Sequence, residues 1–217
     1  MGCLTCGQCR CPLRNVQPSN HHLHPLSIEK GQRFFQQGDS ISGVFILCQG
    51  KARLARSMEN GKRQILLPFV KAGKVLGLSE IMLHQATWNC YAEALETTKA
   101  VLITTQDVES LTKREPQFIE ALMRDMIEEN RCLQQRLIDT LGRSSGEKLA
   151  YTLLHIQEEL DSDYLPLKNG DLADLTGSTP VTICQQLSRL KRHQILNRFN
   201  GLLALDSVKL KTMVNML

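Results

Sequence analysis

The 217-residue chain has no run of about 18 apolar residues, so no membrane-spanning helix is expected. Its first residues lack the apolar stretch of a secretory signal. A cytoplasmic location is therefore expected. Met1-Gly2 could open an acylation motif, but that motif needs Ser or Thr at the sixth position and this chain has Cys6. No nucleophile–base constellation, phosphate-cradling loop or pair of acids set for proton transfer is visible, which argues against an enzyme. Charge of one sign is also scarce. The net charge of +4 permits a polyanionic partner without requiring one.

Apolar content of 42% is enough for a proper core, and the length suits one large or two small domains. The eight cysteines are unevenly placed: Cys3, Cys6, Cys9 and Cys11 crowd the start, in the pattern C-x2-C-x2-C-x-C. In a reducing compartment such density does not read as a disulfide framework. Thiolates two residues apart can converge on one centre, because the residues between them turn around it. That chemistry suits an iron–sulfur cluster or zinc, with a thiol redox switch or no role as the alternatives. Gly2 and Gly7 let the backbone wrap closely. His21, His22 and His24 follow and read as a solvated linker, or as substitute ligands. Cys48, Cys90, Cys132 and Cys184 are isolated, and cysteines of that kind are usually small buried hydrophobes.

The chain is organised around residues 116–141, which hold no glycine and no proline after Pro116. Proline suits the first helical position, where its missing N–H would be unsatisfied in any case. Good helix formers fill the interior. The spacing predicts one helix roughly 35–40 Å long at about 1.5 Å per residue. Leu122, Met126, Leu133, Leu137 and Leu141 draw one apolar stripe along it. The stripe fits either a core helix or a helix shared between two subunits as a short coiled coil.

Before this helix, from Pro25 to about Thr105, short β-rich runs alternate with turns. Phe34-Phe35, Val44 to Leu47 and Ile65 to Leu67 read as strands, and Gln37-Gly38-Asp39 and Asn60-Gly61 as turns. A small antiparallel barrel or sandwich is expected. After the helix, residues 142–146 read as a hinge, followed by a helical pattern through Leu149, Leu153, Ile156 and Leu160. Then comes a polar loop at Asp161 to Asp163 and an extended piece at Tyr164 to Leu167.

In the stretch from Asp171 to His193, Leu172 and Leu175 share one helix face, Gly177 marks a tight turn, Thr179 is a natural N-cap and Pro180 a natural first residue. Ile183, Leu187 and Leu190 then form the buried face of a second helix, which makes a helix-turn-helix. No acid occurs between Asp174 and Asp206, and Arg189, Lys191, Arg192 and Arg198 lie in that gap. Such a surface suits a phosphate backbone. The candidate DNA-contacting residues are Thr179, Val181, Thr182, Gln185, Ser188, Arg189 and Arg192. Gln185 could pair with adenine, the Thr182 methyl could touch thymine, and Arg189 could reach guanine or phosphate. The run through Asn200-Gly201 reads as a β-hairpin wing.

Residues 28–205 together resemble the Crp/Fnr transcription regulators. The resemblance is carried by EKGQRFFQQGDSISGVFILCQGKARL, KAGKVLGLSEI and AEALETTKAVLI, then the long helix and the helix-turn-helix. It implies an α+β chain with four parts. These are a cysteine-rich segment (1–24), a sensory antiparallel β-roll of the cyclic-nucleotide-binding type (25–115), a dimerisation helix (116–142) and a winged helix-turn-helix domain (143–217). In cAMP-binding members a Gly-Glu pair holds the ribose and an Arg-Ser pair the phosphate. The matching positions here are Gly77-Leu78 and Trp88-Asn89, so cAMP binding is not expected. GKVLGLSEI, the ALET stretch and the cysteine cluster look closer to the oxygen-sensing Fnr branch. That likeness implies an iron–sulfur cluster, of the 4Fe–4S type, held by Cys3, Cys6, Cys9 and Cys11. The branch takes one ligand from the β-roll, where this chain has Val101, so Cys90 or Cys48 is a candidate substitute. The family's Glu and Arg of the reading helix correspond to Val181 and Gln185, so its usual palindrome is not assumed. The reading is a homodimeric regulator that binds double-stranded DNA, with RNA polymerase a candidate partner. The rivals are a haem or small-molecule effector in the β-roll, and zinc or thiol chemistry at the cysteines.

Overall fold

The structure, a computed structural model, describes residues 11–13, 23–58 and 64–215. The chain divides into two compact units, residues 1–129 and 130–217. The expected Asn60-Gly61 turn lies outside the described residues.

The first unit is built from β1 (Leu23–Ile28), β2 (Arg33–Phe35), β3 (Gly43–Gln49), β4 (Lys51–Ser57), β5 (Gln64–Lys71), β6 (Val75–Leu76), α1 (Leu78–Met82), β7 (Tyr91–Ala94), β8 (Thr98–Thr104) and α2 (Thr105–Arg114). Two four-stranded sheets result, ordered β1-β8-β3-β6 and β2-β7-β4-β5, and every pairing in them is antiparallel. Strand β3 shows why the apolar run Val44 to Leu47 is continuous rather than alternating. Side chains point to opposite faces in turn, and here both faces are covered. Val44 and Ile46 enter a cluster with Val108, Leu111, Phe118 and Leu122. Phe45 and Leu47 enter a second cluster with Phe35, Ala52, Val70, Trp88 and Ala92. Ile46 and Leu47 are fully buried. Each such side chain stabilises the fold by about 1.5–3 kcal/mol.

Helix α2 was not expected from the strand-rich pattern. Its start is nonetheless written locally, because the Thr104 hydroxyl accepts from the Asp107 N–H at 3.2 Å and donates to the Asp107 carboxylate at 2.6 Å. That satisfies one of the orphan donors of the first turn.

Helix α3 runs Pro116–Gly142, close to the expected 116–141, and the boundary between the two units falls within it. Phe118 and Leu122 are buried, whereas Met126, Leu133, Leu137 and Leu141 are between 47% and 77% exposed in the single chain.

The second unit adds α4 (Ser145–Leu160), β9 (Tyr164–Leu165), α5 (Asn169–Thr176), α6 (Pro180–Arg192), β10 (Leu196–Phe199), β11 (Leu202–Leu205) and α7 (Ser207–Asn215). The expected hinge is a capped restart: the Ser144 side chain accepts from the Glu147 N–H at 3.4 Å, and the Ser144 N–H donates to the Glu147 carboxylate at 2.8 Å. This reciprocal box closes two orphan donors of α4. Asp139 sits beside this restart, 6% exposed. It accepts from Arg143 at 2.7 Å and Gln135 at 3.1 Å, with His155 Nε2 at 3.4 Å. Burial alone would raise its carboxyl, but the Arg143, Gln135 and His155 contacts hold it below the usual range. Helix α4 packs against α5, α6 and α7, and Leu149, Leu153, Leu172, Ile183 and Leu210 are fully buried. Asn200 and Gly201 both have positive φ, 49° and 81°, as a tight two-residue turn between β10 and β11 requires. The resulting hairpin extends to a three-stranded sheet, β10-β11-β9.

Candidate nucleic-acid interface and sensor segment

Gly177 ends α5 in the left-handed conformation, φ 61°, which glycine adopts at no steric cost. The chain then turns at once into α6. There the Thr179 hydroxyl accepts from the Thr182 N–H at 3.2 Å, with Pro180 in the first turn. Ile183, Leu187 and Leu190 point inward. Val181, Gln185, Ser188, Arg189, Lys191 and Arg192 are exposed, and Thr182 is half-buried. One face of α6 is thus polar, basic and free of acids.

Hydrogen bonding sorts these side chains further. The Ser188 hydroxyl donates back to the Cys184 carbonyl at 2.8 Å. The Thr182 hydroxyl lies 2.9 Å from the Thr179 hydroxyl. Both hydroxyls are engaged within the helix, which leaves the Thr182 methyl and the side chains of Val181, Gln185, Arg189 and Arg192 presented outward. Sequence reading missed Asn169. Its carboxamide oxygen accepts from Arg198 Nη2 at 2.7 Å, and its nitrogen donates to the Cys184 sulfur at 3.2 Å. It therefore joins the hairpin to the start of α5 and to α6. Nothing local marks it, because the partners are distant in sequence.

Two of the isolated cysteines correct the expectation of burial: Cys132 and Cys184 are exposed. Cys184 follows Ile183, and one step along a helix turns a side chain by about 100°, so it leaves the inward face. Cys90 is buried, and burial together with the nearby Glu80 carboxylate pushes its thiol up to about 11.

In the first unit, Trp88 is 2% exposed and stacks on Phe35 with ring centroids 3.7 Å apart. Gly77 abuts its ring: a Cβ there would lie 2.3 and 2.6 Å from the ring carbons Cη2 and Cζ3. The cavity that remains, bounded by Phe35, Gly77, Glu80, Trp88, Cys90 and Asp125, holds about 120 Å³. Small-molecule sites are usually roughly 300–1,000 Å³. The buried Glu80, which also bounds this cavity, accepts a hydrogen bond from the Ser79 hydroxyl at 2.8 Å.

Of the N-terminal cysteines, Cys3, Cys6 and Cys9 lie outside the described residues, as do His21 and His22. Cys11 and Leu13 are 5% and 0% exposed, and both belong to the cluster that holds Ile46, Val101, Phe118 and Leu122. Cys48 packs against that same cluster, and Cys90 belongs to the other one. Among the described residues, no group of three or more His, Cys, Asp or Glu is arranged to hold a metal ion.

A winged helix-turn-helix with a basic reading face, joined through a long helix to a double-sheet roll, defines a DNA-binding regulator with an attached sensory domain. Comparison with known proteins agrees. Residues 25–115 match the cyclic nucleotide-binding domain, and residues 147–213 match the Crp-like helix-turn-helix domain. The transcriptional activator protein FnrA of Stutzerimonas stutzeri is 26% identical over 176 residues, which cover 78% of this chain and 71% of that protein. The fumarate and nitrate reduction regulatory protein of Vibrio cholerae is 26% identical over 177 residues, covering 78% and 70%. A solved transcriptional regulator of the Crp/Fnr family from Eubacterium rectale superposes with a TM-score of 0.73 at 17% identity, covering 95% of this chain and 99% of that one, and shares the fold. The chain belongs to the Crp/Fnr family and is a DNA-binding transcription regulator. Its relatives are regulators rather than enzymes. Among the described residues, no helix is long and apolar enough to cross a membrane.

Proposed function

We propose that this regulator works as a homodimer on double-stranded DNA and responds to oxygen or redox state through an iron–sulfur cluster at its N-terminal cysteines. The observation that carries the reading is the burial of Cys11 and Leu13 in the same cluster as Phe118 and Leu122 of α3. The end of the cysteine-rich segment is thereby packed on the first turns of the helix that leads to the DNA-binding unit. A bound cluster would supply a centre that oxygen or oxidants alter, held by Cys3, Cys6, Cys9 and Cys11. The burial of Cys11 in the cluster that holds Phe118 and Leu122 supports this, since a donor there would lie close to α3. Zinc or thiol chemistry at the same residues is the alternative.

Dimerisation is supported by the stripe of Met126, Leu133, Leu137 and Leu141, which leaves large apolar side chains exposed along one helix. The same stripe on a second copy would cover it across a two-fold axis. Each α6 then enters a major groove, with half-sites roughly 34 Å apart. Within it, Val181 and Thr182 offer methyl groups to thymine, Gln185 pairs with adenine, and Arg189 and Arg192 reach guanine or phosphate. Thr179 and Ser188 act mainly by holding α6 itself, given their engaged hydroxyls. A haem or organic effector in the β-roll finds little room in a cavity of about 120 Å³.

The test is anaerobic purification, iron and sulfide analysis, a visible spectrum before and after air, and DNA binding in both states with fragments selected from a random pool. Iron and sulfide with absorbance that bleaches in air, accompanied by a change in DNA affinity, is expected. A colourless protein whose DNA affinity ignores air overturns the sensing half.

A further inference from the structure

The basic side chains of the acid-poor gap are not all on the reading helix. Arg189, Lys191 and Arg192 belong to α6, whereas Arg198 belongs to β10, close to the turn at Asn200-Gly201. An exposed arginine ordinarily samples many rotamers, and ordering it on a partner weakens binding. Arg198 is exposed, yet it is already ordered within the single chain. Its Nη2 donates to the Asn169 carboxamide oxygen at 2.7 Å, and its Nη1 donates to the Gly201 carbonyl oxygen at 3.4 Å. Both acceptors are neutral, so the positive charge is not cancelled. A guanidinium also has more N–H donors than these two bonds use.

Asn169 is itself held. It is the first residue of α5, half-buried, and its amide nitrogen donates to the Cys184 sulfur at 3.2 Å. One carboxamide therefore has its oxygen on the hairpin and its nitrogen on the reading helix. Cys184 immediately precedes Gln185, whose side chain points outward. The bond between Asn169 and Cys184 thus relates the hairpin cation to the face of α6 that carries Gln185.

We propose that Asn169 is a positioning residue for DNA binding. It holds Arg198 as a fixed phosphate contact outside α6 and keeps that contact in step with the side chains of α6, an assignment that rests on the reading of α6 as the helix that enters the groove. Arginine suits the task, because its planar fork can give a phosphate two parallel N–H bonds. Anchored through Asn169, the guanidinium meets the backbone with its torsions already set. Removal of Asn169 leaves the charge and loosens its placement.

The full-length protein, Asn169→Ala, Arg198→Ala and the double variant are bound to a DNA fragment selected from a random pool, over a series of salt concentrations. Arg192→Ala is measured alongside, and circular dichroism and Tm report on folding. Arg198→Ala should weaken binding and flatten log affinity against log salt by about 0.9 per half-site. Asn169→Ala should weaken binding about 2- to 10-fold per half-site, the effect of leaving one long side chain to be ordered on the DNA. It should largely keep the slope, because the charge remains, and should have no further effect in the Arg198→Ala background. An equal loss in both backgrounds means that Asn169 acts through the fold alone, and overturns the proposal. Arg198→Ala with unchanged affinity and slope, beside a weakened Arg192→Ala, overturns it and leaves the reading of α6 standing, whereas two silent variants overturn both. A second pair of variants leaves Asn169 in place. Cys184→Ser keeps an acceptor for its amide and should bind DNA more tightly than Cys184→Ala; equal binding by the two overturns the link to the reading helix.

Discussion

Gly77→Ala should destabilise the first unit, and part of the cost should disappear when Trp88 is made smaller. Two separable effects meet at this position. Gly77 has φ 89° and ψ 7°, a left-handed conformation in which a Cβ costs about 1–2 kcal/mol. The new methyl would also lie 2.3 and 2.6 Å from Cη2 and Cζ3 of Trp88. That ring is 2% exposed and stacked on Phe35 at 3.7 Å, so moving it aside means giving up that stacking. Over-packing of this kind costs about 1–3 kcal/mol, and the two effects together give about 2–5 kcal/mol. Trp88→Phe removes the outer ring edge, where both contacts lie, while keeping an aromatic face against Phe35. In that background Gly77→Ala should cost only the backbone strain, so the cycle should show a coupling of about 1–3 kcal/mol. Urea unfolding followed by far-UV circular dichroism measures all four corners. Fluorescence does not serve, because Trp88 is the one tryptophan. Equal costs in both backgrounds would show that Trp88 does not fill the space beside Gly77, and the argument that the cavity is too small for a cyclic nucleotide would fall with it.

Arg192→Ala should weaken DNA binding and flatten its salt dependence, in a plot of log affinity against log salt, by about 0.9 for each phosphate no longer neutralised, hence about 1.8 for a dimer; an unchanged slope would place Arg192 off the DNA. Leu137→Lys puts a charge into the exposed stripe of α3 and should yield monomers in sedimentation velocity, whereas persisting dimers would assign the interface elsewhere. Asp139 is held below the ordinary carboxylate range, so the stability it contributes is fully present above its unfolded value of about 3.9 and is lost as pH falls through the lower folded value. Asp139→Asn should therefore flatten the acid limb of Tm against pH, and an unaltered limb would contradict the described contacts. Cys90, with its thiol pushed up to about 11, should resist iodoacetamide at neutral pH while Cys132 and Cys184 react; rapid alkylation of Cys90 would refute its burial.

The parts of this molecule that could be read in the sequence are those encoded over a few residues. Gly177, Thr179 and Pro180 specify a left-handed turn, a cap and a first helical residue, and the helix-turn-helix follows from them. Asn200-Gly201 specifies its hairpin in the same way. The helix-forming run after Pro116 set the length of α3. Helices α1, α2 and α7 were missed, since none of them follows a marked turn-and-cap pattern like that at Gly177 to Pro180. Local signals in α2 and α7 are the cap at Thr104 with Asp107 and the Asp206 side chain accepting from the Lys209 N–H at 3.0 Å. What sequence could not reach was register. That Cys48 sits at a bulge depends on how β3 pairs with β8. That Trp88 stacks on Phe35 beside Gly77 depends on Phe35 arriving from another strand. The exposure of Cys184 follows from which face of α6 is buried, a matter that one residue of phase decides.

Whether the proposed sensor can move an equilibrium is a question of magnitude. An effector shifts two states only by the difference in its free energy of interaction with each. Leu13 is fully buried in the cluster with Phe118 and Leu122. Withdrawing one such side chain forfeits about 1.5–3 kcal/mol, which corresponds to roughly a 10- to 150-fold change in the balance between two packings. That lies within the usual range of coupling between sites, about 1–3 kcal/mol. It needs no rearrangement of the sheets, since the residues concerned sit at the first turns of α3. The polar interruption at Glu129 and Asn130 falls where the first unit ends, so the helix passes out of that unit without an apolar anchor at this point. Polar ties hold the helix just before it, because Asp125 and Glu128 pair with Lys74, so a change of packing at Phe118 and Leu122 works against that pairing. The segment of α3 beyond it carries the stripe from Leu133 to Leu141 that a second copy would cover.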